Sequence, residues 1–205
     1  MDPNENLNTA LLKAAADNSK EVVALLLDNP GVDVNVALDT GMTALHFAAN
    51  EGHLEVVVLL LKHPGVHVDA AANHGYKALH LASVKGHLEV VAVLLQHPGV
   101  EVGAATNRGH TALHMAAMAG NNELVKTLIA HGAAVDGSDI SKSTALHLAC
   151  QEGHLPCVLT LIKANASVTL PDNQGQCAIH VASRRNRDAV ILAILDHGCP
   201  TDLVS

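Results

Sequence analysis

Thr43-Ala44-Leu45-His46-Phe47-Ala48-Ala49-Asn50-Glu51-Gly52-His53, continued by Leu54-Glu55-Val56-Val57-Val58-Leu59-Leu60-Leu61, is a stretch whose pattern returns along the whole chain. Its first four residues recur as Lys77-Ala78-Leu79-His80, Thr111-Ala112-Leu113-His114, Thr144-Ala145-Leu146-His147 and Cys177-Ala178-Ile179-His180, at spacings of 34, 34, 33 and 33. One step of 34 back from Thr43 lands on Thr9-Ala10-Leu11-Leu12. A fixed period of this size marks an array of small supersecondary units. The chain reads as six repeats, at about 4–37, 38–71, 72–105, 106–138, 139–171 and 172–204, in one domain over 1–205.

Each repeat has the same grammar: helix, tight turn, helix, loop. Thr43 suits a helix N-cap, where its hydroxyl can satisfy an orphan amide, and Gly52 supplies the left-handed residue that ends the first helix. Helices of about eight to ten residues are marginal alone in water. The second one, Val56 to Leu61, is apolar almost all round and needs neighbours on both sides, so stacking is obligatory. An extended Val66-His67-Val68 followed by Asn73-His74-Gly75 predicts a hairpin loop.

The period, the Thr-x-Leu-His-x-Ala start, the Gly-His turn and the Asp/Asn-x-x-Gly loop together resemble the ankyrin-repeat family, from about residue 4 to residue 204. The resemblance implies an all-α, ankyrin-repeat solenoid of about six helix-turn-helix units with short β-hairpin loops. The chain departs from the family pattern in places. Alanine replaces the proline of each Thr-Pro-Leu-His start, Lys142 stands at a hairpin glycine position, and three loops carry an extra residue around Pro30, Pro64 and Pro98.

Composition excludes several function classes. Apolar residues make up 49% of the 205, which is ample for a core, but Phe47 and Tyr76 are the only aromatics, so the core must be aliphatic. The net charge is −8, and the acids lead in residues 1–75, ten to three, against ten to nine in 76–205. Only Arg184, Arg185 and Arg187 form a basic cluster, too little for a nucleic-acid reader. Apolar runs stop at six or seven residues, far short of the roughly 20 that span a bilayer. Four scattered cysteines are no disulfide framework, and the first five residues are no secretory signal; the expected compartment is intracellular, the cytoplasm first and the nucleus compatible.

Fifteen histidines invite a zinc hypothesis. Twelve belong to the repeat grammar: five in helix starts, three in Gly-His turns and four in closing loops. Equivalent residues of neighbouring repeats stand on the order of 10 Å apart, whereas a metal wants three or four converging ligands. In ankyrin-like repeats the helix-start histidine is expected to hydrogen-bond backbone and the neighbouring hydroxyl. Cys150 and Cys157 read as core filling, Cys177 as a replaced cap and Cys199 as a loop residue. No phosphate loop, nucleophile elbow or His-Glu-x-x-His is present, and Glu51 and Glu152 have no carboxylate partner at local spacing. The expectation is no catalytic residue, metal or cofactor.

What remains is surface. The resemblance implies that hairpin tips and the exposed sides of the first helices line one concave binding face. At the tips this assigns Asp39, Thr40 and Met42; Asn73, His74 and Tyr76; Asn107, Arg108 and His110; Ile140, Ser141 and Ser143; Asn173, Gln174 and Gln176. The first helices add Asn50, Glu51, Val84, Lys85, Met118, Gln151, Glu152, Arg184 and Arg185. These positions break the repetition, and Tyr76, Met42, Met118 and Ile140 are the types that anchor or adapt to partners.

The function expected is a noncatalytic protein-protein interaction module, an inhibitor or scaffold, with a protein partner and no nucleic acid, membrane or small-molecule substrate. Two alternatives stand beside it. One is the recognition arm of a larger enzyme or channel. The other, prompted by the Pro-Gly-Val loops, is a microbial effector acting on a protein in the host cytosol. At the ends, Lys13, Asp17, Lys20 and Glu21 suggest a polar N-terminal cap. Ala189 to Leu195 stay apolar, which implies a longer array, a covering partner or self-association there.

Overall fold

The computed structural model describes residues 3–197, and Cys199 with the last loop lies outside the described residues. The chain divides into two compact units, one ending at Glu101 and one beginning at Val102. Six helices belong to the first: α1 (Pro3–Ala16), α2 (Lys20–Leu27), α3 (Ala44–Glu51), α4 (Leu54–Lys62), α5 (Ala78–Lys85) and α6 (Leu88–Gln96). Six belong to the second: α7 (Ala112–Ala119), α8 (Asn122–Ala130), α9 (Ala145–Glu152), α10 (Leu155–Lys163), α11 (Ala178–Arg184) and α12 (Asp188–Asp196). The fold is all-α, built of helix-turn-helix repeats.

Within the first unit α3 packs between α1 and α5 in an inner layer, while α4 packs between α2 and α6 in an outer layer. The second unit repeats this arrangement, with α9 between α7 and α11 and α10 between α8 and α12. Ala44, Ala48 and Ala49 are fully buried on α3, and such small side chains let inner helices approach closely. Val56 and Val57 are also fully buried on α4, so packing overrides the weak helix propensity of a β-branched run. Among the described residues no helix is long and apolar enough to cross a membrane.

The inner helices α3, α5, α7, α9 and α11 start the same way. Thr43 is extended (φ −93°, ψ 173°), and Gly52 ends the helix at φ 78°. The cap is closed from the histidine side: His46 Nδ1 accepts from the Thr43 main-chain N–H at 3.2 Å and lies 2.8 Å from Thr43 Oγ1. His46 Nε2 donates to the Tyr76 carbonyl of the next repeat at 3.1 Å. A carbonyl can only accept and an amide can only donate, so both bonds form together only in the neutral Nε2–H tautomer. His114 bridges to the Ser143 carbonyl and His147 to the Gln176 carbonyl in the same manner.

The loops are hairpins of the shortest kind. In three of them a single isolated bridge joins the arms, Ala37 to Thr43, Ala105 to Thr111 and Ser138 to Thr144, and Asn73–Gly75 is a 3-10 turn. The loop is too short for a ladder, since Leu38 N donates to the Met42 carbonyl at 3.1 Å and Gly41 N already turns back onto Leu38 at 2.7 Å. Val68 departs from the extended reading, because it lies in a turn with its side chain in the core.

The two end helix pairs expose apolar as well as polar side chains. Lys13, Asp17, Lys20 and Glu21 are exposed, but so are Val22 at 45% and Leu25 at 73%. The positions equivalent to Val22 (Val56, Val90, Leu124, Cys157 and Val190) are at most 1% exposed. On α12 the apolar run splits: Val190 and Ile194 face the core, and Leu192 is 62% exposed.

Candidate functional site

The residues assigned to the binding face are half-buried or exposed, and none of them is buried. The hairpin tips that carry them are tied to one another by main-chain bonds. In the first unit Asn73 N donates to the Thr40 carbonyl at 2.8 Å. In the second, Ile140 N donates to the Arg108 carbonyl at 3.1 Å and Asn173 N to the Ser141 carbonyl at 2.8 Å. This ladder needs close backbone approach. A Cβ on Gly109, whose φ is +78°, would stand 2.8 Å from Asp139 Cα.

In the first unit, Thr40, Met42, Asn73 and Tyr76 come together with Ala72 and Leu81 around an apolar groove of about 200 Å³. The Tyr76 ring is half-buried rather than fully displayed, and it meets the His80 ring edge-on with centroids 6.3 Å apart. Asp39, Asn50, Glu51, His74, Val84 and Lys85 are not among the residues lining this groove. His74 adopts a left-handed φ of 61°, and Asn50 donates to the Glu51 carboxylate at 2.7 Å.

In the second unit, Ser141, Ser143, Gln151, Asn173, Gln174, Gln176, Arg184 and Arg185 line one polar cleft of about 300 Å³. Arg184 crosses from α11 to the hairpin tip and donates from Nη1 to Gln176 Oε1 at 2.6 Å and to Gln174 Oε1 at 3.3 Å. Glu152 does not line the cleft, and it accepts from Gln151 at 2.8 Å. Asn107, Arg108, His110, Met118 and Ile140 do not line it. Ile140 is 67% exposed. His110 is engaged internally, 3.2 Å from Asp139 Oδ2 and stacked on His114 with centroids 6.0 Å apart.

Sequence reasoning missed the acids that shape these tips. Asp139 Oδ1 accepts from the main-chain amides of Ser141 and Ser143, both at 2.8 Å, and Asp172 Oδ1 accepts from those of Gln174 and Gln176 at 2.7 and 2.9 Å. An acid at the first residue of a tight turn is the available signal, since its side chain can cap the amides two and four residues on. Asp172 also lines the cleft, with His147, Leu148 and Val181 beneath it. The arginine cluster of the sequence separates. Arg187 Nε donates to the Gln151 carbonyl at 3.2 Å, as His53, His87 and His154 do to Ala16, Asn50 and Met118, so it serves the stack.

Burial sets the chemistry of the titratable groups. It lowers the pKa of His46, His114 and His147, with the partner carbonyls pulling weakly the other way. It pushes the Cys150 thiol up to about 12 and that of Cys157 to about 11, and it raises Cys177, whose thiol faces the Thr169 carbonyl at 3.3 Å. Thiols held protonated in this way are poor nucleophiles. Among the described residues no group of three or more His, Cys, Asp or Glu is placed to hold a metal ion.

The comparisons agree with the repeat geometry. A family model described as ankyrin repeats, in three copies, matches residues 11–106, 98–172 and 137–204. No curated protein matches the chain. Since the matched segments together run from residue 11 to residue 204, and the repeats they cover form the stacked helix pairs described above, the chain belongs to the ankyrin-repeat family.

Proposed function

We propose that this chain is a noncatalytic protein-protein interaction module, an inhibitor or scaffold that holds its partner on the hairpin tips and first helices of its repeats. Proteins of this family are generally interaction modules, and no catalytic arrangement is needed for that role. The observation that carries the reading is a contrast between two equivalent positions. Leu45, Leu79, Leu113, Leu146 and Ile179 occupy the same buried site, each at most 3% exposed, and scarcely vary. Met42, Tyr76, His110, Ser143 and Gln176, the residues just before each cap, differ at every step and are all half-buried. Stacking constrains the first set and leaves the second open to selection by a partner.

The test is hydroxyl-radical footprinting of the chain with a partner isolated from lysate. Protection at Met42, Tyr76 and Met118 is the expected result. Protection confined to the outer helices, at Leu88 on α6 or Leu159 on α10, would overturn the proposal.

A further inference from the structure

The second unit carries a polar cleft of about 300 Å³, and its chemistry points to one kind of occupant. Two guanidinium groups and one carboxylate line it, those of Arg184, Arg185 and Asp172, a formal sum of one positive charge. Asp172 holds the turn, its Oδ1 accepting both hairpin amides. Arg184 is braced by the Gln174 and Gln176 carbonyl oxygens through Nη1, and a guanidinium has five N–H donors, so three remain. The Arg185 guanidinium, at the C-terminal end of α11, is exposed and makes no hydrogen bond or ion pair within the described residues. Arginines with free donors in a fixed fork match a carboxylate in two-pronged geometry.

We infer that this cleft receives an Asp or Glu side chain of an extended segment of the partner protein, with Arg185 as the main contact and Arg184 as a braced second one. The inference rests on the interaction-module reading and deepens it. A volume of about 300 Å³ is at the small end for ligand clefts, the scale of one side chain with its flanking backbone. The hydroxyls of Ser141 and Ser143 and the amide of Gln151 line the same space and offer partners for that backbone. The single net positive charge balances a carboxylate monoanion and under-compensates a phosphoryl dianion. Acid-bearing partners meet little repulsion from this half, since residues 102–205 hold eight acids and seven bases, a formal −1 of the −8 carried by the whole chain.

The experiment is a selection of randomised extended peptides displayed on phage against the full chain, followed by titration of the selected peptides by calorimetry. Peptides with a fixed Asp or Glu are expected. Replacing that acid by Asn or Gln, or making Arg185→Gln in the chain, should each weaken binding about 10- to 100-fold, the weight of one charge-assisted bond. Combining the two replacements should cost no more than either alone. Arg185→Glu should turn the selection towards Lys- and Arg-bearing peptides, and circular dichroism checks that each variant is folded.

Selection without acidic enrichment, no binders, equal acidic enrichment with Arg185→Gln, or tighter binding of a phosphoserine peptide than of its Glu form would each overturn the assignment. Failure here with footprint protection intact at Met42, Tyr76 and Met118 sinks only the cleft assignment. Loss of protection on the whole face sinks the interaction-module reading with it.

Discussion

Arg187 Nε donates to the Gln151 main-chain carbonyl at 3.2 Å, the equivalent, one repeat further on, of the bond from His154 to the Met118 carbonyl at 3.1 Å. The sixth repeat thus keeps the interrepeat bond with a different side chain. Its aliphatic arm also covers Gly153, whose added Cβ would come within 2.8 Å of Arg187 Cδ. Arg187→Ala should therefore destabilise the second unit by about 1 to 2 kcal/mol in urea unfolding, through the lost bond and packing. Arg185→Ala, two residues away but with no side-chain partner among the described residues, should stay within about 0.5 kcal/mol of the parent. Equal effects of the two changes would refute the distinction.

The buried helix-start histidines make stability depend on pH. His46, His114 and His147 have folded pKa values below the ordinary imidazole value of 6.5, because burial disfavours the imidazolium. Protonation would also put an Nδ1–H against the Thr43, Thr111 or Thr144 amide donor. With the folded pKa depressed, the unfolded chain binds more protons at mildly acid pH. Their contribution is complete above about pH 6.5 and is lost as pH falls through 6.5 towards the folded values. Urea midpoints measured at pH 7.5, 6.0 and 5.0 should decline steadily. A flat profile over that range would mean that these rings titrate alike in both states.

Leu113, only 1% exposed on α7, belongs to the set of leucines that recurs once per repeat. Leu113→Ala should cost about 2 to 5 kcal/mol, the usual range for a buried leucine truncated to alanine. Thermal unfolding followed at 222 nm reads it. A loss below about 1 kcal/mol would mean that the inner layer is loosely packed and collapses around the missing side chain.

The fold was legible because one period places the same residue types at the same buried positions: Leu45, Leu79, Leu113 and Leu146 need only be aligned to be recognised as core. Helix ends were legible for a similar reason, with Thr43 extended and Gly52 left-handed as their types demand. The site was less so. Arg184, Arg185 and Arg187 are close in sequence, yet one is braced, one is free and one bridges repeats, and only the helix end separates them. His110 was grouped with the displayed tip residues, and its bond to Asp139 depends on a neighbouring repeat 29 residues away. Asp139 and Asp172 escaped notice because turn-capping acids look like ordinary surface charges until the amides they hold are placed.

Lys142 holds a φ of 57° at the loop position where Gly41, Gly109 and Gly175 have φ between 73° and 78°. A side chain there costs about 1 kcal/mol relative to glycine. Lys142→Gly should raise the stability of the second unit by up to about 1 kcal/mol. Gly109→Ala should do the opposite and more strongly, since its Cβ would meet Asp139 Cα at 2.8 Å with φ at +78°. Differential scanning calorimetry of the two variants tests both signs. A destabilising Lys142→Gly would show that the lysine side chain makes a contact outweighing its backbone strain.

Tyr76 carries two roles on different atoms, and this makes the binding face testable without unfolding the protein. Its main-chain carbonyl accepts from His46 Nε2 at 3.1 Å, and any residue at this position keeps that bond. Its ring lines the apolar groove with Met42 and Leu81 and touches His80 edge-on, a contact worth about 0.5 to 1.5 kcal/mol. Tyr76→Ala should therefore lower the unfolding free energy by about 1 to 2 kcal/mol and leave the helix content unchanged. Affinity for the partner should fall more, since a central aromatic anchor typically costs about 2 kcal/mol or more on truncation, roughly 30-fold in Kd. Glu55→Ala and Glu89→Ala, exposed on the outer helices α4 and α6, serve as controls and should bind as the parent does. Calorimetry at fixed salt measures all three. If the outer-helix variants lose binding while Tyr76→Ala retains it, the partner occupies the outer-helix side, and the hairpin and first-helix residues have no part in recognition.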